Sequence, residues 1–89
     1  MADWLITEHA LFEMKRRGLS EELVLSVLKN PEQHVVLRPG RDMLQSRVQM
    51  DSPARMYLIR VFVDVDRNPP EVVTAYRTSK VSKYWRQGP

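Results

Sequence analysis

An α+β fold is predicted for this chain: two N-terminal helices packed on a four-stranded antiparallel sheet, followed by a basic C-terminal tail that is itself helical. Three observations predict it. Apolar residues recur at helical spacing before Pro31, β-rich runs separated by turn signals follow it, and no linker or low-complexity segment divides the 89 residues. A chain of this length builds one core, so residues 1–89 are read as a single domain.

The first helix is expected over about residues 7–17. Thr7 supplies its N-cap, Glu8 sits in its first turn, and Lys15, Arg16 and Arg17 complement the negative end of its dipole before Gly18 stops it. The second is expected over about 20–29, opened by Ser20 with Glu21 and Glu22 in its first turn. Leu23, Val24, Val27 and Leu28 form its apolar stripe, and Asn30-Pro31 ends it.

Strands are expected over about 33–37, 42–50, 56–65 and 71–78. Pro39-Gly40, Asp51-Ser52-Pro53 and Asp66-Arg67-Asn68-Pro69-Pro70 mark the turns between them, and connections this short make an antiparallel meander. In the third strand, alternation places Leu58, Arg60 and Phe62 on one face and Ile59, Val61 and Val63 on the other. If the helices cover the second set, Arg60 looks out over an open face.

A hydrophobic fraction of 43% suits a folded globule, and the absence of cysteine excludes disulfides and thiolate metal sites. No run approaches the ~20 apolar residues needed to span a bilayer. Met1 to Ile6 lack a basic leader, so a cytoplasmic protein without membrane contact is expected. The net charge of +3 is unevenly spread. Residues 1–34 carry six Asp or Glu against four Lys or Arg, whereas residues 35–89 carry ten Lys or Arg against five Asp or Glu. An anion is drawn to the second part.

The densest such region is the tail. From Arg77 onward it holds Arg77, Lys80, Lys83 and Arg86 with no acidic residue, interleaved with Tyr84 and Trp85 and preceded by Tyr76. Cations neutralise phosphates and flat rings accept stacked bases, which points to RNA or DNA. The competing reading is a helix whose aromatics dock on the domain. Thr74 and Tyr76 share a face of the last strand, and Arg41, Gln45 and Arg47 lie around the second strand, a set of hydroxyl, amide and guanidinium donors suited to phosphate. His9, Glu13 and Arg16 or Arg17 fall within one turn of each other on the first helix. His9 has no His-Glu-x-x-His context, and the chain has no glycine-rich phosphate loop, so no metal or other cofactor is expected. His34 is read as structural or exposed.

The order His9-Ala10, Met14, Arg17-Gly18-Leu19-Ser20, Val24, Leu28, Pro31, Gly40-Arg41 and Val73-Thr74-Ala75-Tyr76-Arg77 resembles the bacterial domain-of-unknown-function family numbered 4258, from about Thr7 to Arg77. That family is similar in layout to small RNase toxins of the RelE type and to colicin-like nucleases. The resemblance implies metal-independent RNA cleavage by a toxin held inactive by a small acidic antitoxin-like partner. On this reading His9 takes the proton-transfer role and Arg60 stabilises the pentavalent phosphorane with Arg41 or Arg47. Tyr76 or Lys80 positions or protonates the leaving group. Arg17, Thr74, Lys83, Tyr84 and Trp85 complete the substrate contacts. Two other classes stay open: a non-catalytic module binding RNA or an acidic partner, and an assembly role, with homo-oligomers, through exposed sheet edges.

Overall fold

The computed structural model describes residues 4–87. Met1 to Asp3, read above for a leader, and Gly88 and Pro89 lie outside the described residues. The elements are β1 (Leu5–Ile6), α1 (Glu8–Arg16), α2 (Glu21–Lys29), β2 (Gln33–Arg38), β3 (Arg41–Met50), β4 (Arg55–Asp64), β5 (Glu71–Thr78) and α3 (Val81–Tyr84). No helix among the described residues is long and apolar enough to cross a membrane.

The sheet has five strands rather than the expected four, in the order β1-β5-β4-β3-β2, and β1 runs parallel to β5. The added strand is two residues long, too short to leave any periodic signal in sequence. Pairing defines it: the Leu5 amide donates to the Pro70 carbonyl at 2.9 Å and the Thr7 amide to Val72 at 3.2 Å. The remaining four strands form the antiparallel meander that the turns predicted. Because β1 covers only Glu71 and Val72, the rest of β5 is an uncovered edge among the described residues.

The caps act as their residue types dictate. The Thr7 hydroxyl accepts from the Ala10 amide at 3.1 Å and also donates to the Val72 carbonyl, so one side chain starts α1 and ties it to β5. Ser20 accepts from Leu23 and starts α2. α1 ends in a Schellman arrangement: Gly18, at φ +71°, donates to Lys15, and Leu19 donates to the Met14 carbonyl at 2.8 Å. A Cβ on Gly18 would meet nothing within 4 Å. Gly18→Ala is therefore expected to destabilise the fold by about 1 kcal/mol through the left-handed backbone alone, read as a lower midpoint in urea unfolding.

The helices cover the face that alternation assigned to them. Ala10, Met14, Leu19, Val24, Val27 and Leu28 pack on Leu44, Ile59, Val61, Val63, Val72 and Ala75, all nearly inaccessible to water. A bulge at Val73 shifts the β4–β5 register, so Val63 pairs with Val72 while Phe62 pairs with Thr74.

The second face is not open, contrary to expectation. Met43, Gln45 and Leu58 lie on it and are fully buried, and the tail folds back across it. The helical part of that tail is only the single turn α3, after which Trp85 is extended. The Gln33 side chain anchors the returning chain at both its polar atoms: its Nε2 donates to the Arg86 carbonyl at 2.8 Å, and its Oε1 accepts from the Arg86 amide at 3.1 Å. Four cationic and aromatic residues in a row failed to make a long solvated helix because two of them, Tyr84 and Trp85, have arginine partners on the sheet.

Candidate functional site

Four arginines are half-buried: Arg17, Arg41, Arg60 and Arg77. Three of them meet carboxylates, Arg17 with Glu13 at 3.0 Å, Arg41 with Asp64, and Arg77 with Asp51 at 3.3 Å. Arg60 alone meets none among the described residues. It stands at the centre of β4, opposite Gln45 of β3 and Tyr76 of β5 in the ladder, so three adjacent strands present these side chains on the same face.

The surroundings of Arg60 are hydrogen-bond acceptors and rings. Its Nε donates to Gln45 Oε1 at 3.0 Å and its Nη1 to the Tyr76 hydroxyl at 2.6 Å. Its guanidinium lies 4.5 Å from the centroid of the Tyr84 ring, 5.5 Å from Phe62 and 5.7 Å from Tyr76. Gln45 is held in turn, because its Nε2 donates to Gln33 Oε1 at 2.7 Å and to the Tyr84 carbonyl at 3.3 Å. A charge in such a place is stabilised by ring quadrupoles and neutral dipoles, which orient it without cancelling it. The site is thus a positioned cation with spare positive charge.

The other sequence-predicted residues fall into separate groups. Tyr76 and Tyr84 join Arg60. Thr74 and Arg17 lie beside them: Arg17 wraps around the uncovered edge of β5, where its Nη1 donates to the Ala75 carbonyl at 3.0 Å and approaches the Thr74 hydroxyl at 3.4 Å. Its guanidinium is 6.0 Å from the Tyr76 ring. Arg47 and Trp85 form a second stack at 4.0 Å, with Arg47 also gripped by Glu32 through two bonds of 3.1 Å. Those partners meet the Arg47 guanidinium and one face of the Trp85 indole within the chain. The Tyr84 ring is likewise placed on Arg60. Lys80 and Lys83 are exposed, and the Lys83 amine sits 5.3 Å from the Tyr84 ring.

Two predicted members are elsewhere. Arg41 is four ladder positions from Arg60, about 14 Å along the strand, and is closed by Asp64. His9 is exposed on α1 and has no hydrogen bond to Arg60 or Tyr76. It does belong to the cluster the helical wheel predicted, since it acts on Glu13, which also meets Arg16 at 2.6 Å. His34 is half-exposed and paired with the buried Asp42 carboxylate. Among the described residues no group of three His, Cys, Asp or Glu side chains is placed to share a metal ion.

A cleft of about 630 Å³ opens between the end of α1 and β5, lined by Lys15, Arg16, Arg17, Gly18, Tyr76 and Arg77. Sequence reasoning singled out Arg17 and Tyr76 but not Lys15 as a site residue. Nothing in the sequence could have added it, because the cleft exists only once α1 is laid along β5.

The ion pairs leave a pH signature. Hydrogen bonds from Arg16 to Glu13, from Arg47 to Glu32, from Tyr57 to Asp51 and from Arg41 to Asp64 each hold a carboxyl below its ordinary value. A carboxyl whose folded pKa is depressed stabilises the fold above its unfolded pKa, and that stabilisation is lost as pH falls through the folded one. The melting temperature is therefore expected to be level from neutrality down to about pH 5 and to decline below it, by less in high salt because none of these pairs is fully shielded from solvent. Melts followed by circular dichroism across this range check it.

Among the curated proteins and among the solved structures, nothing matches the chain. A family model does, over residues 6–77, which takes in α1, α2 and all of β2 to β4 together with β5 up to Arg77. The chain belongs to the family described as a domain of unknown function, DUF4258.

Proposed function

We propose that the protein binds RNA by a backbone phosphate at Arg60 and cleaves it without a metal ion by attack of the adjacent 2′-hydroxyl. One observation carries this reading: Arg60 is the half-buried arginine that meets no carboxylate among the described residues, and Gln45 and Tyr76 hold it in place. A fixed guanidinium matches the equatorial oxygens of a phosphorane and stabilises charge that develops there.

In that reaction the 2′-oxygen bonds to phosphorus and the bond from phosphorus to the 5′-oxygen breaks, leaving a 2′,3′-cyclic phosphate. The 2′-proton passes to water. Because the Tyr76 oxygen accepts from Arg60, its own O–H is free to donate to the departing 5′-oxygen, and solvent reprotonates it. Tyr76 thereby keeps the leaving-group role that the sequence gave to it or to Lys80, and water takes the proton that the sequence gave to His9. The resemblance in layout to RelE-type toxins and colicin-like nucleases, which rests on the sequence alone, agrees with this reading as an analogy. The basic second part of the chain would equally suit a small acidic protein partner.

A second reading has its own support. The Tyr84 and Trp85 rings are stacked on arginines of the same chain, and His9 stands apart, so an RNA-binding module without chemistry also fits. Purified protein incubated with total RNA in excess EDTA decides between them. Fragments ending in 2′,3′-cyclic phosphate, lost in Tyr76→Phe and kept in His9→Ala, are the expected result; intact RNA with salt-dependent binding would establish the module instead.

A further inference from the structure

The cleft beside β5 is separate from the Arg60 cage yet shares a wall with it. Its lining holds Lys15, Arg16, Arg17 and Arg77 and no carboxylate. Glu13 is divided between Arg16 and Arg17, Asp51 serves Arg77, and Lys15 has no carboxylate partner among the described residues. The balance of the cleft is positive. Its floor at Gly18 carries no side chain, so a chain of sugar and phosphate meets no obstruction there.

Tyr76 connects the two places. Its ring lies 5.7 Å from the Arg60 guanidinium and 6.0 Å from that of Arg17, so cations of the cage and of the cleft stand beside one ring at the uncovered edge of β5. We propose that this cleft is a second phosphate site, which receives the backbone of the same single-stranded RNA as it leaves Arg60 around the β5 edge. The proposal rests on the reading of Arg60 as an RNA-phosphate anchor. The cleft wall offers cations and one phenol ring, and the lining has no buried amide to read a base edge. Recognition there is therefore of the charged backbone and tolerant of sequence.

The test is equilibrium binding of a fluorescein-labelled 2′-O-methyl oligouridine, which lacks the attacking hydroxyl and stays intact, titrated at several salt concentrations. Wild type is compared with the double variant Lys15→Ala, Arg16→Ala and with Arg60→Gln. Lys15 and Arg16 are exposed, so the double variant is expected to fold as wild type does. Loss of two phosphate contacts is expected to flatten the slope of log K against log salt by roughly 1.4 and to weaken binding at low salt about tenfold.

Unchanged affinity and slope in the double variant, with loss in Arg60→Gln, would overturn the cleft and leave the Arg60 reading intact. Loss in the double variant with full binding by Arg60→Gln would leave a phosphate site in the cleft but overturn the Arg60 reading, and with it the path of the strand from Arg60 to the cleft. No binding by wild type overturns both. Polyglutamate run as a second probe detects the remaining alternative: if the double variant loses polyglutamate but keeps oligouridine, the cleft takes an acidic polypeptide and the proposal falls.

Discussion

Arg60→Gln is expected to lower metal-independent RNA cleavage about 100- to 1,000-fold, the loss typical when one preorganised donor to a developing oxyanion is removed. The size follows from the setting of the residue. Its charge is held by a neutral amide, the Tyr76 phenol and the Phe62 and Tyr84 rings, and it meets no carboxylate among the described residues. Glutamine retains a polar group that can meet Gln45 and Tyr76, which limits the structural damage, and the melting temperature of the variant is the control. Arg60→Lys is expected to fall between the two proteins, because it keeps the charge but loses the planar fork. Cleavage by Arg60→Gln at the wild-type rate, with an unchanged melt, would remove this residue from the reaction.

Ile59→Ala is expected to cost about 2–5 kcal/mol, the range for deleting a buried branched side chain where the surroundings cannot collapse into the cavity. Ile59 is fully buried at the centre of the cluster formed by α1, α2 and the helix-facing side of the sheet. A domain of this size is stabilised by only about 5–15 kcal/mol in total, so the variant gives up a large share of it. At about 4–8 °C per kcal/mol, the melting temperature should drop by on the order of 10 °C or more. Phe12→Ala is the informative contrast. Phe12 is 64% exposed despite its place on α1, and its removal should change stability by no more than about 0.5 kcal/mol. A small loss in Ile59→Ala would mean that the sheet and helices are less tightly joined than their burial indicates.

Neither variant could have been ranked this way from sequence. Periodicity made Ile59 a core candidate and Arg60 an anomaly within one strand, but it left open which face the helices cover. Had they covered the other face, Arg60 would have been buried beneath them and Ile59 exposed. The two readings of the tail could not be told apart in sequence for a related reason. Arg77, Lys80, Lys83, Tyr84 and Trp85 look alike in sequence whether they meet solvent, RNA or the chain's own arginines, since a cation beside a ring is favourable in each case.

The sequence by itself determined the local features of this protein. Thr7 and Ser20 start helices, Gly18 and Pro31 end them, and period-two alternation sorts β4 into a helix-facing and an opposite side, because caps, dihedral limits and pleat are properties of neighbouring residues. Family membership was legible for the same reason, as the motifs from His9 to Arg77 keep their order along the chain. The tertiary structure alone decided the pairing of β1 with β5, the return of the tail across the second face, and the separation of His9 from Arg60. It also decided that Arg41, Arg47 and Arg77 meet carboxylates while Arg60 meets none among the described residues. Those outcomes depend on which residues distant in sequence become neighbours, and a carboxylate cancels a cation only when packing brings the two within hydrogen-bond reach.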